Sequence, residues 1–539
     1  MEILEPVLIL MAILAGLAAL SPRLRVPYPV LLVVGGLLFS FIPGLPDIRL
    51  EPDVVFLVFL PPLLYEASWK ISWHDLKTYR RPISRLAIGL VFLTTTVVAA
   101  VAHYVIPGVS WPVGFVLGAI VSPPDAVAAT SATKGLGLPK RASAILEGES
   151  LINDASALIA YRYAVAAVAS GTFVFWKAGL QFLLVSVGGA AAGVLVGIVF
   201  VKAFKKVQGN QMVEASLNIL VPFISYLFAE HIRVSGVLSV VATGLYVSWR
   251  SSEFFSYQGR ILTSHFWELM GFLLNGFVFI LIGLQLPVIM DAAPDRSLTR
   301  WIGYGLLVSA AAILVRMAWV FLIAHLPFGM SSLNGEPVAD RRKMRRELFI
   351  EAWAGMRGVV SLATALALPL TLQSGRPFPH RELILFITFV VILVTLVLQG
   401  LSLPYFIRRL GVREDPEKIA STERRLRLQM ARHSLRFIET ELSNNLDEPV
   451  VRQLRQRFEQ QINYLNGFLP EKKEESNTKN MRKAFKQYLF GELELISAQR
   501  SQIVSLLKEE KYPEELIRKI EGELDLWNLQ VQSRQTAAK

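Results

Sequence analysis

Three polar residues in apolar surroundings have the side chains needed to bind a small cation. Asn153 and Asp154 lie side by side in GESLINDASALIAYRYA, and Asp125 lies one apolar segment earlier in GAIVSPPDAVAAT. An Asp inside a bilayer costs about 3 kcal/mol on insertion scales, so such residues are rarely kept without a use. Two carboxylates and an amide at the same depth would form an oxygen-lined site for a small hard cation or a proton.

The composition places these residues in a membrane. The chain has 539 residues, of which 53% are hydrophobic and only 18% charged, and its mean hydropathy is +0.45. Its apolar residues gather into runs of about 17–25, the length that crosses the hydrocarbon core as a helix. The sequence therefore predicts an all-α polytopic membrane protein. The chain has no cysteine, which excludes disulfides and thiolate metal sites.

Thirteen transmembrane helices are predicted, with loops of alternating charge. The net charge of +12 would be compatible with a nucleic-acid-binding protein. The basic residues, however, fall mainly in every second loop and in the tail, so no nucleic-acid partner is expected. Basic loops face the cytoplasm, which puts the N-terminus outside and the C-terminus inside a plasma membrane. The predicted spans are 3–20, 27–43, 53–69, 84–106, 112–132, 145–170, 176–202, 213–230, 234–249, 265–290, 301–325, 347–370 and 381–407.

The sequence changes character near residue 410. We predict a transmembrane domain over 1–409 and a cytoplasmic helical tail over 410–539, with helices near 418–443, 450–469, 480–509 and 514–530. Within 450–469, one helix face carries apolar residues at spacings of three and four, namely Val451, Leu454, Phe458, Ile462 and Leu465. The tail's basic charge indicates a solvated or membrane-facing surface. Binding of anionic lipid or of a calmodulin-like partner is the alternative.

Two of the predicted spans carry signals that break a helix. Pro123 and Pro124 precede Asp125, and a proline pair removes two backbone donors. In the second half of the membrane domain, Gly355 and Gly358 flank Arg357 in EAWAGMRGVVSLATALALP. Interrupted helices in corresponding positions of two halves indicate a transporter binding site.

Further polar residues are assigned by charge and spacing. Glu149 and Arg357 both need a partner of opposite charge, so we expect a structural ion pair between them. Ser150 lies four residues before Asp154 and can share its helix face, whereas Asn153 points elsewhere and can hold a broken helix end. Glu66 follows another proline pair, in FLPPLLYEASWK. It is either a gate or pH-tuning residue or an interfacial charge that snorkels to water.

These motifs, with FWELMGFLLNGFVFILIGLQL, make the chain resemble the monovalent cation:proton antiporter family 1, the sodium/proton exchangers, over about residues 1–410. The resemblance implies a homodimer of thirteen-helix protomers, each with a dimerisation domain and a mobile core of two inverted three-helix units with crossing, unwound helices. It implies that Na+ binds at Asp154 with Asp125 as its partner, that Ser150 and Asn153 support the site, and that Glu149 pairs with Arg357.

Two details of the motifs refine the resemblance. Asn153 before Asp154 is typical of the electroneutral exchangers, because the electrogenic branch has two aspartates there. The common crossing-helix motif is Thr-Asp-Pro, whereas here two prolines precede Asp125 and Ala126 follows it. The backbone ligand beside Asp125 is therefore left open.

The expected function is antiport by competition for one carboxylate. Asp154 holds either a proton or a dehydrated cation, and only the neutralised states allow the core to move, which gives one-for-one exchange of Na+, or Li+, for H+ and regulates cellular pH and sodium. No enzyme activity and no cofactor are expected, since a phosphate-binding loop and a serine nucleophile motif are missing from the sequence. A K+/H+ antiporter is the main alternative, and a cation channel or a membrane sensor are alternatives of a different class.

Overall fold

The structure is a computed structural model, in which nearly every regular element is a helix. It describes residues 4–24, 26–40, 55–170, 175–285, 298–325, 341–372, 375–444, 446–466, 487, 489–499, 501–503, 520 and 523–532. Parts of several predicted segments lie outside these residues, namely the spans 3–20, 27–43, 53–69 and 265–290 and the tail helices 450–469, 480–509 and 514–530. Within them, the pairing of two strands is limited to one isolated bridge between Thr371 and Pro377.

Helices of eight residues or more are labelled up to residue 466. They are α1 (Leu4–Leu24), α2 (Tyr28–Phe39), α3 (Leu60–Lys70), α4 (Val91–Val105), α5 (Trp111–Val121), α6 (Ala126–Thr133), α7 (Lys140–Ser170), α8 (Phe175–Val207), α9 (Gln211–His231), α10 (Gly236–Phe254), α11 (Tyr257–Leu284), α12 (Leu298–His325), α13 (Arg341–Trp353), α14 (Val359–Leu366), α15 (Arg381–Val394), α16 (Gly400–Leu410), α17 (Pro416–Thr440) and α18 (Glu448–Asn466). Short π-helical segments at Val55–Phe59, Arg85–Leu90 and Thr395–Gln399 lead into α3, α4 and α16.

The predicted all-helical membrane fold is confirmed, while the count of thirteen spans stays a prediction. Among the described residues, eight helical segments are long and apolar enough to cross a membrane, and α2 is a shorter apolar helix. α7 is not among the eight although it has 31 residues, because it carries the polar stretch around Glu149 and Asp154. α13 and α14 are each too short, because an irregular segment separates them.

Within the membrane domain the helices pack in two groups. In the first group, α1 and α2 pack on α11, α3 contacts α9, α10 and α11, and α8 packs on α9 and α10. In the second group, α4, α5 and α7 form one set of neighbours, and α12 contacts α4, α13 and α15. Contacts between the groups are made by α2 with α6, by α7 with α3 and α10, and by α11 with α14.

Two helices of the second group are interrupted, and both interruptions were predicted. The first lies between the end of α5 at Val121 and the start of α6 at Ala126, at the proline pair. The second lies between the end of α13 at Trp353 and the start of α14 at Val359, at Gly355 and Gly358. Both breaks expose backbone groups that a continuous helix would pair, so each must be satisfied by other parts of the fold.

The chain separates into two compact units, Met1–Arg413 and Glu414–Lys539. In the second unit, α17 packs against α18. The predicted apolar face of α18 is confirmed, because Val451 and Leu465 are buried and Leu454, Phe458 and Ile462 are half-buried, while most residues between them are exposed. The functional role of this unit remains a proposal.

Candidate ion-binding site

Asp125 connects the two interrupted helices. It is the N-cap of α6, and its Oδ1 accepts a hydrogen bond from the Val127 N–H at 2.8 Å. Its Oδ2 lies 3.4 Å from the N–H of Val359, the first residue of α14. The Asp125 N–H in turn donates to the Met356 carbonyl at 2.7 Å. The carboxylate therefore lies at the positive ends of two half-helices, where the helix dipoles stabilise a negative charge.

Arg357 lies at the same crossing, beside the negative C-terminal ends of the half-helices. Its Nε donates to the Val121 carbonyl at 2.9 Å, and its Nη1 donates to the Gly355 carbonyl. Its backbone N–H donates to the Thr395 hydroxyl at 3.0 Å. These carbonyls follow the ends of α5 and α13, where partial negative charge accumulates. The guanidinium thus satisfies backbone acceptors that the breaks in the helices leave free.

α7 holds the first break in place through two side chains. The Ser150 Oγ accepts a hydrogen bond from the Ala126 N–H at 3.1 Å, and the Asn153 Nδ2 donates to the Pro124 carbonyl at 3.0 Å. Asn153 is completely buried and does not line the cavity described below. The amide therefore holds the broken helix end, and Ser150 both lines the cavity and fixes the start of α6.

Asp154 lies on the wall of a cavity of about 760 Å³ between the two helix groups. Asp125 and Ser150 line the same cavity, so three of the four predicted ion-binding residues come together there. Asp154 is 9% exposed, and among the described residues its carboxylate forms no hydrogen bond. Both of its oxygens are therefore free for a cation or a proton, whereas the oxygens of Asp125 already face N–H groups.

The cavity wall is rich in carboxyl groups. Besides the two aspartates it carries Glu66, Glu147 and Glu268, against Lys70 and Lys134, with His265 near its rim. Glu66 is 6% exposed and pairs with Lys70 one turn later. An excess of negative charge in a cleft with apolar walls concentrates cations. Glu66 thus faces this cavity, and its predicted role as a gate or pH-tuning residue stays a prediction.

The predicted ion pair between Glu149 and Arg357 is wrong. Glu149 pairs with Arg316 of α12, through a contact of Oε1 with Nη1 and a 2.9 Å bond from Nη2 to Oε2, and both side chains are 1% exposed. Arg316 also donates to the carbonyls of Glu351 and Ala352 at 3.0 and 3.1 Å. Arg357 lies near this pair, because a Cβ placed on Gly355 would contact both guanidinium groups. Two of its side-chain nitrogens, Nε and Nη1, donate to carbonyls at the breaks, whereas its Nη2 has no hydrogen-bond partner among the described residues.

Sequence reasoning missed several residues of the site. Arg316 is a single charge in the apolar run AAAILVRMAWVFLIA, and that isolation was the available signal. Asn275, in the predicted span 265–290, lines the cavity and donates to the Gly271 carbonyl at 2.7 Å. Glu147 and Glu268 lie near the starts of the predicted spans 145–170 and 265–290, where charged residues are ordinary and carry no signal. In the described residues, no cluster of three or more His, Cys, Asp and Glu side chains could hold a resident metal ion.

Comparison with known sequences gives consistent matches over the membrane domain. The family described as sodium/hydrogen exchanger, transmembrane, matches residues 9–409. An uncharacterised Na+/H+ exchanger of Mycobacterium bovis is 36% identical over 408 residues, which cover 75% of this chain and 74% of the relative. A sodium, potassium, lithium and rubidium/H+ antiporter of Bacillus pumilus is 35% identical over 416 residues, covering 75% of this chain and 61% of the relative.

A solved structure has the same fold. The sodium proton antiporter MjNhaP1 of Methanocaldococcus jannaschii, determined at pH 8, superimposes with a TM-score of 0.59. The match covers 76% of this chain and 99% of that protein, at 19% sequence identity. At that identity the likeness concerns the arrangement of the helices alone.

Proposed function

The chain belongs to the sodium/hydrogen exchanger family, and we propose that it exchanges a monovalent cation for protons across a membrane, with Asp154 as the group that binds each in turn. The observation that carries this assignment is the Asp154 carboxylate, which lines an acidic cavity and is free of hydrogen bonds within the described structure. Asp125 completes the site as a fixed negative charge at two helix N-termini.

Exchange follows from competition at Asp154. A dehydrated cation needs the ionised carboxylate, whereas a proton removes the charge and releases the ion. An empty site leaves an uncompensated carboxylate in a poorly polar environment, which makes movement of the empty core costly. Only the loaded protein then changes its accessibility, so cation and proton movements are coupled in opposite directions.

The position of the cavity supports alternating access. It lies between the two helix groups, with α2, α3 and α11 on one wall and α6, α7 and α14 on the other. It extends from Asp154 towards Lys70 and Lys134, which adjoin the basic loops predicted to face the cytoplasm. A sliding movement of one helix group against the other would close this side and open the opposite one.

The site also supports a one-for-one stoichiometry. Asp125 already accepts hydrogen bonds from backbone N–H groups of two half-helices, and Asn153 is neutral. A single carboxylate, that of Asp154, is therefore left to alternate between cation and proton. Exchange is then electroneutral, and its role would be control of cellular pH and sodium.

Sodium is the proposed substrate, and potassium is the second candidate. Sodium is favoured by the family's description, and potassium enters because the printed name of the Bacillus pumilus relative includes it. Both are hard cations that bind oxygen ligands. A pH-sensitive dye inside proteoliposomes reports proton movement. Applying sodium, lithium, potassium and rubidium gradients in turn ranks the four ions by the rate of exchange that each one drives.

The decisive variant is Asp154→Asn, with Asp447→Asn as the matched control. Asp447 is exposed and lies in the second unit, so the control makes the same chemical change far from the cavity. We expect Asp154→Asn to abolish cation-driven proton movement with folding intact, and Asp447→Asn to exchange like wild type. Exchange near the wild-type rate in Asp154→Asn would overturn the proposed role of this carboxylate.

The proposal includes a homodimer in the plasma membrane, with the N-terminus outside and the tail in the cytoplasm. The family resemblance supports the dimer, and the alternation of basic loops supports the orientation. Because the chain lacks cysteine, Ser110→Cys and Ser443→Cys give single labelling sites at exposed positions. An impermeant thiol reagent should label Ser110→Cys in intact cells and Ser443→Cys after lysis, and native mass spectrometry should give the mass of two chains.

A further inference from the structure

Glu351 is a buried carboxyl group that the proposed transport mechanism does not use. It lies near the end of α13, is 1% exposed, and does not line the ion cavity. Neither of its carboxyl oxygens has a hydrogen-bond partner among the described residues. Ionisable residues within membrane segments are functional candidates by default, and a buried polar group without a partner needs an explanation.

The arginine beside Glu351 is already occupied. Arg316 directs its Nη1 and Nη2 to the Glu149 carboxylate, and its other bonds go to the backbone carbonyls of Glu351 and Ala352. Four N–H bonds of its guanidinium are thus accounted for, and none of them reaches the Glu351 side chain. The backbone of Glu351 accepts from Arg316 while its carboxyl group does not.

The remaining charges around Glu351 do not compensate a negative charge there. Arg141 and Glu149 of α7, Arg316 of α12 and Glu347 of α13 itself act on it, two positive and two negative. α16 also packs on α13, but its arginines Arg408 and Arg409 are exposed. An ionised, unbonded carboxylate at this position would bear a large desolvation cost, which a bound proton removes.

We propose that Glu351 is a second proton-binding site, distinct from the transported ion's site, and that its ionisation at higher pH makes it compete with Glu149 for Arg316. The structure shows the Glu149–Arg316 pair intact, which in this proposal is the state with Glu351 protonated. Loss of the proton would place two carboxylates beside one guanidinium. That would weaken the link between α12 and α7, the helix that carries Asp154, and slow exchange on the alkaline side.

Infrared spectroscopy of the full-length protein in lipid tests the protonation directly. A protonated carboxyl group gives a carbonyl stretch that a carboxylate does not. We expect the difference spectrum of wild type minus Glu351→Gln at neutral pH to contain this band. The difference spectrum of wild type minus Glu347→Gln, the matched control one turn earlier on α13, should lack it. An unchanged band in Glu351→Gln would overturn the proposal. Because no transport is measured, this readout stands whether or not the antiport proposal does.

Stability and exchange as functions of pH test the coupling. A group that holds its proton more tightly when folded destabilises the protein as pH rises. While Glu351 titrates, the unfolding equilibrium constant of wild type should therefore increase by up to about tenfold per pH unit relative to Glu351→Gln. Exchange by Glu351→Gln should also decline less than wild type at alkaline pH. Parallel pH curves for the two proteins in both measurements would contradict the coupling.

A second substitution keeps the test decisive if Glu351→Gln is unstable. Glu351→Leu puts an uncharged apolar side chain of similar size in the same position. A site that normally holds a neutral carboxyl group should accept it, and the folded protein should then lack the same component of the infrared band that Glu351→Gln lacks. If Glu351→Gln and Glu351→Leu both fail to fold, the position does not accept an uncharged side chain, which would overturn the proposal.

Discussion

The ion pair of Glu149 and Arg316 joins α7 to α12, and its disruption has a calculable cost. Glu149→Gln leaves the Arg316 charge buried without a carboxylate, and removal of one partner of a buried pair costs about 3–5 kcal/mol. Arg316→Gln also takes away the donors to the carbonyls of Glu351 and Ala352. We therefore expect Glu149→Gln near the lower end of that range and Arg316→Gln near the upper end.

The double variant Glu149→Gln/Arg316→Gln leaves no isolated charge, so its cost should be smaller than the sum of the two single costs. The pair shares two charge-assisted hydrogen bonds, each contributing about 1.5–3 kcal/mol. Coupling between residues of one network reaches about 3 kcal/mol. We expect a coupling free energy of about 2–3 kcal/mol, equivalent to a factor of roughly 30–150 in the unfolding equilibrium constant.

A double-mutant cycle in mixed micelles measures this coupling, with unfolding followed by circular dichroism as denaturing detergent is added. The control cycle combines Glu149→Gln with Arg357→Gln, because Arg357 bonds to backbone carbonyls and not to Glu149. Its coupling should be less than half that of the first cycle. If Glu149 instead couples more strongly to Arg357, or if both cycles are additive, the pairing described here is refuted.

Four further outcomes are expected. Asp125→Asn keeps a hydrogen-bond acceptor for the start of α6 but loses the acceptor for the start of α14. It should therefore lower cation affinity and cost about 1–2 kcal/mol of stability; wild-type values in sodium titration and thermal unfolding would contradict this. Gly358→Ala places a Cβ against the Asp125 carboxylate and should raise the sodium concentration for half-maximal exchange, whereas an unchanged value would mean that the crossing is looser than described. With Asn153 neutral beside Asp154, sodium-driven exchange should not respond to a voltage clamped by valinomycin and potassium; a voltage-dependent rate argues against one-for-one exchange. Truncation after Arg413 should leave exchange measurable with an altered rate or pH dependence, and complete loss in an inserted, dimeric protein would assign transport to the tail.

The sequence by itself determined the features that depend on local chemistry. Hydropathy placed the helices in a membrane, because the transfer of each residue depends mainly on its own side chain. The proline pair before Asp125 and the glycines around Arg357 marked both interruptions, because helix breaking is a property of the backbone at those residues. The apolar face of α18 followed from spacing in the same way. Asp125, Asp154 and Ser150 were found through their motifs, and they do line one cavity.

Only the tertiary structure decided which helices are neighbours and hence which charges meet. Charge counting assigned Glu149 to Arg357, whereas Glu149 binds Arg316, from which 167 residues separate it. Helices in a bilayer have their depth fixed by hydropathy, but their lateral neighbours are set by packing across the whole domain. Charge counting also ignores the backbone. At the two breaks, freed backbone carbonyls accept hydrogen bonds from the Arg357 guanidinium and so compete with carboxylates for it. The cavity's further carboxyl groups, Glu147 and Glu268, and the unbonded Glu351 likewise became visible only when separate helices were brought together.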